Sequence, residues 1–258
     1  MTHEFDGMKY EKASAHQKEW GAILITHLDL QGNERVIDLG CGDGALTARI
    51  ADLVPKGLVV GIDSSQGMID AARPKARENL RFVLKDINDL DFYEEFDIAF
   101  SNATLHWVKD HQRLYENVHR SLRSSGRIRF NFAGDGNCMH FLRIVREAMS
   151  HDAFAVYFAD FQWPWYMPAV DGYAALAESS GLNDVKVWGE NADRFFVDTD
   201  TMIRWIDQPS IVPFLSCVAE KKKKGFRDYV VRRMIEETKK GDGRCFETFR
   251  RINISARK

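Results

Sequence analysis

The chain is expected to fold as an α/β protein built around a mostly parallel sheet. Three observations lead there. Short apolar runs alternate with helix-length amphipathic segments through the first 134 residues, a glycine-rich turn follows the first run, and Asp63 closes the second. Such alternation makes βαβ units, whose crossovers are right-handed.

Residues 13–28 carry Ala15, Trp20, Ile23, Leu24 and Leu28 at helical spacing, an amphipathic helix that Gly32-Asn33 ends. Residues 35–39 read as a buried strand. Leu46, Ile50, Leu53 and Val54 stripe the next helix, which stops at Pro55-Lys56-Gly57. Strands follow at 58–62, 80–85 and 96–101, with a helix at 68–76 and another through Leu114, Val118 and Leu122. Ser125-Gly126 turns the chain into a fifth strand at 127–133. After Gly134 the repeat ends: a helix is expected at 139–157, then an aromatic segment of Phe158, Phe161, Trp163, Trp165 and Tyr166 interrupted by Pro164 and Pro168. That segment reads either as a cap on the core or as an aromatic wall of a ligand pocket. Helices at 173–180, 201–206, 209–218 and 226–240, a strand at 184–187 and a closing strand at 245–254 complete the reading.

A chain of 258 residues that is 45% apolar and 29% charged has the composition of an ordinary globular protein. Its net charge of -2 hides an asymmetry, because residues 221–258 hold 14 Lys/Arg against 5 Asp/Glu. The interleaved Phe226, Tyr229, Val230, Ile235, Phe246 and Phe249 favour a packed segment there, with a polyanion site as the alternative. Nucleic acid is not expected as a partner. Cys41, Cys138, Cys217 and Cys245 are too dispersed for a CxxC site and read as reduced thiols. Neither a signal core nor a long charge-free apolar run is present, so a cytoplasmic protein without membrane contact is expected, as a monomer or weak dimer.

The turn itself is chemically specific. Gly40, Gly42 and Gly44 lie between strand and helix, where free N–H groups can face a ligand and no side chain blocks its approach. A dinucleotide site needs G-x-G-x-x-G, whereas here the third glycine falls one residue early. Asp43 would sit badly beside a pyrophosphate, while Asp38 could face a cationic group. Asp63 stands at ribose-binding distance. These features fit a nonphosphorylated, zwitterionic nucleoside better than NAD.

Residues 36–44 resemble the first motif of the class I S-adenosylmethionine-dependent methyltransferases. The resemblance implies a Rossmann-like sheet, mostly parallel with an antiparallel last strand, and a mainly helical substrate-side cap. It implies S-adenosyl-L-methionine as cofactor, with Gly40, Cys41 and Gly42 flanking it, Asp38 near its methionine moiety and Asp63 on its ribose. Ser64 to Met68 would line the adenine, Asp86 would meet its amino group and Ile87 its ring. Asn102-Ala-Thr-Leu-His-Trp-Val108 resembles the segment after the fourth strand in the trans-aconitate and juvenile hormone acid methyltransferases, which methylate free carboxylates. By the same resemblance Asn102 and Gln17 lie at the cofactor, and Trp205, residues 213–215 and residues 251–258 belong to the cap and last strand. The expected layout is a cofactor core at 1–134, cap segments at 135–180 and 195–243, and closing strands at 181–194 and 244–258. In place of a second aromatic before His-Trp, this chain has Asn102-Ala-Thr-Leu.

Methyl transfer from a sulfonium is an in-line displacement in which positioning does much of the work. A carboxylate acceptor is already ionised at neutral pH and needs no base. His106 is therefore either a general base for a proton-bearing acceptor, a hydrogen-bond donor to a carboxylate, or a packed histidine. Trp107, Trp163 and Trp165 are candidate pocket walls, and Arg143 and Arg204 candidate anion clamps. No metal is expected, since His111, His119, His140 and His151 share no ligand spacing. A small-molecule acceptor with a carboxylate oxygen is the leading expectation. N-, C- or phenolic O-methylation, and a regulatory protein that binds the cofactor without turnover, are the alternatives.

Overall fold

The computed structural model describes residues 15–258, the side chains of residues 15–17 and 209 excepted. The chain divides into two compact units. The first runs through Asp135 and adds Trp165–Glu190 and Arg251–Lys258; the second holds Gly136–Pro164 and Asn191–Arg250.

In the first unit α1 (Ala15–Thr26), β1 (Arg35–Leu39), α2 (Ala45–Leu53), β2 (Leu58–Asp63), α3 (Gln66–Ala72), β3 (Leu80–Leu84), β4 (Phe96–Asn102), α4 (His111–Ser121) and β5 (Leu122–Ala133) follow in order. With α6 (Val170–Glu178), β6 (Asn183–Asn191) and β9 (Arg250–Arg257), they build a seven-stranded sheet ordered β3-β2-β1-β4-β5-β9-β6. Strands β1 to β5 pair in parallel and β9 runs antiparallel to β5, as a mostly parallel sheet with a reversed late strand requires.

Period-two alternation explains how this sheet is covered on both faces. Val36, Val59, Ile98 and Phe100 pack with Leu24, Leu28 and Ile50 from α1 and α2. Ile37, Val60, Ala99, Phe130 and Ile254 pack with Leu114, Val118 and Tyr173 from α4 and α6. Beyond the parallel strands the first face changes character. Arg127, Arg129 and Asn131 of β5 stand opposite Arg257, Ser255 and Asn253 of β9, a polar face backing an apolar one.

The second unit contains α5 (Met139–Ser150), β7 (Arg194–Phe196), α7 (Thr199–Trp205), α8 (Val212–Leu215), α9 (Glu220–Thr238) and β8 (Cys245–Glu247). Aromatic rings make its core: Phe141 meets Trp205 at 5.6 Å and Phe154 meets Phe226 at 5.3 Å. The basic α9 is largely neutralised locally, through Lys224 to Asp228, Arg227 to Asp207 and Arg233 to Glu147. Among the described residues no helix is long and apolar enough to cross a membrane.

Several boundaries differ from the sequence reading, each for a local reason. Strand β5 begins at Leu122, and Ser125-Gly126 forms a bulge inside it, where the register jumps from Phe96↔Leu122 to Ile98↔Arg127. The closing strand at 245–254 is two strands, because β8 pairs instead with β7 in a separate two-stranded sheet. Between them the fully buried Glu247 carboxylate accepts from the backbone N–H of Thr248 and of Phe141 in the first turn of α5. That caps the helix and bends the strand away. Helix α5 ends at Ser150, ahead of the expected residue 157.

Candidate active site

The cofactor turn is held on every side by its own sheet. Gly40, Gly42 and Gly44 have φ of 75°, 55° and 76°, a left-handed region that side chains disfavour. The carbonyl of Ile62 accepts from both Gly40 and Cys41 N–H at 2.8 Å. Two hydroxyls from the β4 side hold the turn's carbonyls: Ser101 donates to Leu39 O at 2.7 Å and Thr104 to Gly40 O at 3.0 Å. Thr104 also explains the first glycine, since a Cβ at position 40 would lie 2.0 Å from its methyl group.

Three carboxylates surround this turn in different states. Asp63 accepts from Gly42 N–H at 3.0 Å with one oxygen and Ser65 N–H at 2.9 Å with the other. Asp43 is turned aside, bonded to Lys18 at 2.8 Å. Asp38 is buried, accepts from the Thr47 hydroxyl at 2.6 Å, and is pushed up to about 7 by burial and the nearby charge of Asp63. Burial and the same carboxylates raise the Cys41 thiol, which stays protonated. A turn with this much negative charge suits a cationic sulfonium and ammonium and repels a pyrophosphate.

Beyond β2, Ser64 is exposed while Met68 is buried at the start of α3, its N–H capped by the Ser65 hydroxyl at 3.4 Å. Asp86 accepts from Asn88 N–H at 2.8 Å, which orients a short turn with Ile87 buried in it. Gln17 falls within α1, but its side chain lies outside the described residues.

The segment after β4 is fastened at successive positions. Asn102 is buried, and Ala103, at a positive φ of 58°, donates its N–H to Asn131 O at 2.7 Å. His111 holds Leu105 O through Nε2 at 3.0 Å and meets the Tyr173 hydroxyl through Nδ1 at 2.7 Å. Since Nε2 must donate to the carbonyl, Nδ1 accepts from the phenol. Burial pushes His111 down to about 4. Tyr166 N–H donates to His106 O at 2.8 Å. The Trp107 ring meets Trp165 edge-on at 5.4 Å.

His106 is the chemically distinctive member. Its Nδ1 is buried and makes no hydrogen bond among the described residues. Burial, with the Arg251 guanidinium adding to the effect, pushes the imidazole down to about 3. Arg251, which sequence reasoning did not single out, is buried at the start of β9, stacked on Trp20 at 4.6 Å and bonded to Asn131 at 2.8 Å. Thr104, His111 and Tyr173 were also passed over. Thr104 touches the glycine turn, while His111 with Tyr173 and Arg251 with Asn131 hold the segment after β4 and its neighbours, and no local pattern announces these long-range contacts.

The remaining candidates lie in the second unit. Trp163 stacks under Arg146 at 4.6 Å and packs on Phe214, Arg143 pairs with Glu147 at 2.7 Å and with Glu237, and Arg204 bonds Thr201 at 2.9 Å. Among the described residues no cluster of three or more His, Cys, Asp or Glu side chains could hold a metal.

Residues 30–153 match the methyltransferase domain family. A trans-aconitate 2-methyltransferase of Deinococcus radiodurans is 30% identical over 187 residues, covering 70% of this chain and 71% of its own length. The enzyme of the same name from Mycolicibacterium gilvum is 29% identical over 238 residues, 91% of each chain. The phosphoethanolamine N-methyltransferase 2 of Haemonchus contortus, solved with S-adenosyl-L-methionine, shares the fold at a TM-score of 0.61 and 18% identity over 98% of this chain and 56% of that one. Family match, sheet order and an acidic turn suited to a sulfonium agree: the chain belongs to the class I methyltransferases and is an enzyme that uses S-adenosylmethionine as its cofactor.

Proposed function

We propose that the enzyme methylates a carboxylate oxygen of a small organic acid. The observation that carries this reading is His106. A general base works best with a pKa near the operating pH, and an imidazole held at about 3 is far too weak to take a proton from a phenol or an ammonium. A carboxylate acceptor asks for no such transfer. The relatives named for trans-aconitate, a polycarboxylate, support the same class.

The bound cofactor supplies an electrophilic methyl carbon. In this reading Asp63 accepts from the ribose hydroxyls, Asp86 and Ile87 hold the adenine with Ser64 and Met68 beside it, and Asp38, Gln17 and Asn102 face the methionine end. Neutral His106 offers an N–H to the acceptor carboxylate without competing for a proton. Trp107, edge-on to Trp165, forms an apolar wall that excludes water and leaves the carboxylate oxygen less solvated and more reactive.

Methyl-labelled cofactor should be incubated with separate pools of carboxylic acids, phenols and amines, trans-aconitate included. Label that enters the acid pool and is released by mild base marks an ester. Base-stable label, or transfer confined to phenols or amines, would overturn the reading.

A further inference from the structure

At the edge of the sheet opposite the glycine turn lies a groove of about 570 Å³, within the range of small-ligand sites. Its polar lining comes from His27 just after α1, Arg127 and Arg129 of β5, Ser255 and Arg257 of β9, and Asp184 and Lys186 of β6. In the antiparallel register Arg127 stands directly opposite Arg257 and Arg129 opposite Ser255, on the part of the sheet's first face that lies beyond the apolar core under α1 and α2. Like charges directly across a strand pair repel one another. Four cations line the groove with one carboxylate, whose contact with Arg257 is 3.9 Å between two exposed side chains, while the Glu190 carboxylate acts on Arg129.

The fold accounts for two of these cations. Arg127 anchors the end of α1 through the carbonyls of Leu28 and Asp29, and buried Arg129 bonds the carbonyls of Phe130 and Ile254 and the side chain of Asn253. Lys186 and Arg257 have no such role: Lys186 makes no hydrogen bond or ion pair among the described residues, and Arg257 has only its long contact with Asp184. The basic α9 is largely neutralised by acids on itself and on neighbouring segments, and Lys258 pairs with Glu94, whereas Arg257 is left with its long contact to Asp184.

We propose that the groove binds a small multivalent oxyanion, bearing phosphate or clustered carboxylate groups, at a site separate from the methyl-transfer centre. Guanidinium forks match such oxygens two at a time, and the Ser255 hydroxyl adds a donor between them. Burial pushes Arg129 down to about 10 with the Glu190 carboxylate acting the other way, so it stays charged at neutral pH. The site does not depend on the acceptor being a carboxylate.

Isothermal titration with pyrophosphate and, separately, with citrate would test this on the wild type and on the K186E/R257E variant, both replaced residues being exposed. Saturable binding of either anion at physiological salt is expected, weakened at least about tenfold in the variant, with S-adenosylhomocysteine affinity unchanged within about twofold. Binding of pyrophosphate alone identifies a phosphate ligand, and of citrate alone a polycarboxylate; either supports the site. Absence of saturation by both anions below roughly 10 mM, or a variant that binds them as the wild type does, would overturn it.

Discussion

A histidine with almost no basicity and an aspartate that titrates near neutrality divide the chemistry of this site. If His106 only donates a hydrogen bond, replacing it by alanine should lower kcat/KM with a carboxylate acceptor by about tenfold or more, the scale of a hydrogen bond to a charged group. H106Q, which keeps an N–H donor, should recover most of the loss, and the wild-type rate should show no histidine inflection between pH 6 and 8. A bell-shaped profile, or a glutamine variant as slow as alanine, would return His106 to the role of base. Asp38 sits at about 7, and if it faces the methionine end as proposed, a cationic cofactor selects its ionised form. Affinity for S-adenosylmethionine should therefore weaken as pH falls from 8 to 6, by at most about tenfold per unit, and D38N should remove that slope. Titration calorimetry at the two pH values decides it. The sequence led to both residues. Their states it could not convey, because burial under α2 and beside Arg251 sets them.

The segment between β4 and α4 is where element and site meet. Its residues from Asn102 to Trp107 were legible as a motif, and so were the glycines, yet the bond between the two was not. Thr104 reads as an ordinary residue until strand pairing sets its hydroxyl on Gly40 O and its methyl over Gly40 Cα. T104V keeps the shape and removes the hydrogen bond, so cofactor affinity should drop about fivefold, consistent with roughly 1 kcal/mol for one such bond. T104S should stay within about twofold of wild type, with melting temperature little changed in either. Equal losses in both variants would mean the methyl group, not the hydroxyl, carries the effect. Elsewhere the sequence failed where distant partners override local pattern. Glu247 ends a strand by capping α5, more than a hundred residues earlier, and α6 belongs with the sheet unit because Tyr173 reaches His111.

For the molecule as a whole, apolar periodicity made the parallel strands and their helices legible, while β7 and the split at Thr248 escaped because short strands in an aromatic-rich region lack a period. Stability against acid is also a property of the whole chain. Unfolding returns His106 and His111 from about 3 and about 4 to 6.5, so the stability they contribute is complete above pH 6.5 and lost as pH falls toward those values. Asp38 runs the other way: its folded value is raised from 3.8 to about 7, so its contribution is lost as pH rises through that window. Two groups outweigh one, and the melting temperature should fall from pH 6.5 to pH 4.5, more steeply in D38N than in the wild type. A melting temperature that rises toward pH 4.5 would contradict the assignment of these states. The hydroxyls of Ser101 and Thr104 carry a kinetic consequence as well. Because β4 already restrains the carbonyls of the glycine turn while β2 restrains its N–H groups, the surface proposed to bind the cofactor is formed before ligand arrives. Cofactor association should then appear in stopped-flow records as one concentration-dependent phase, with no slow isomerisation trailing it.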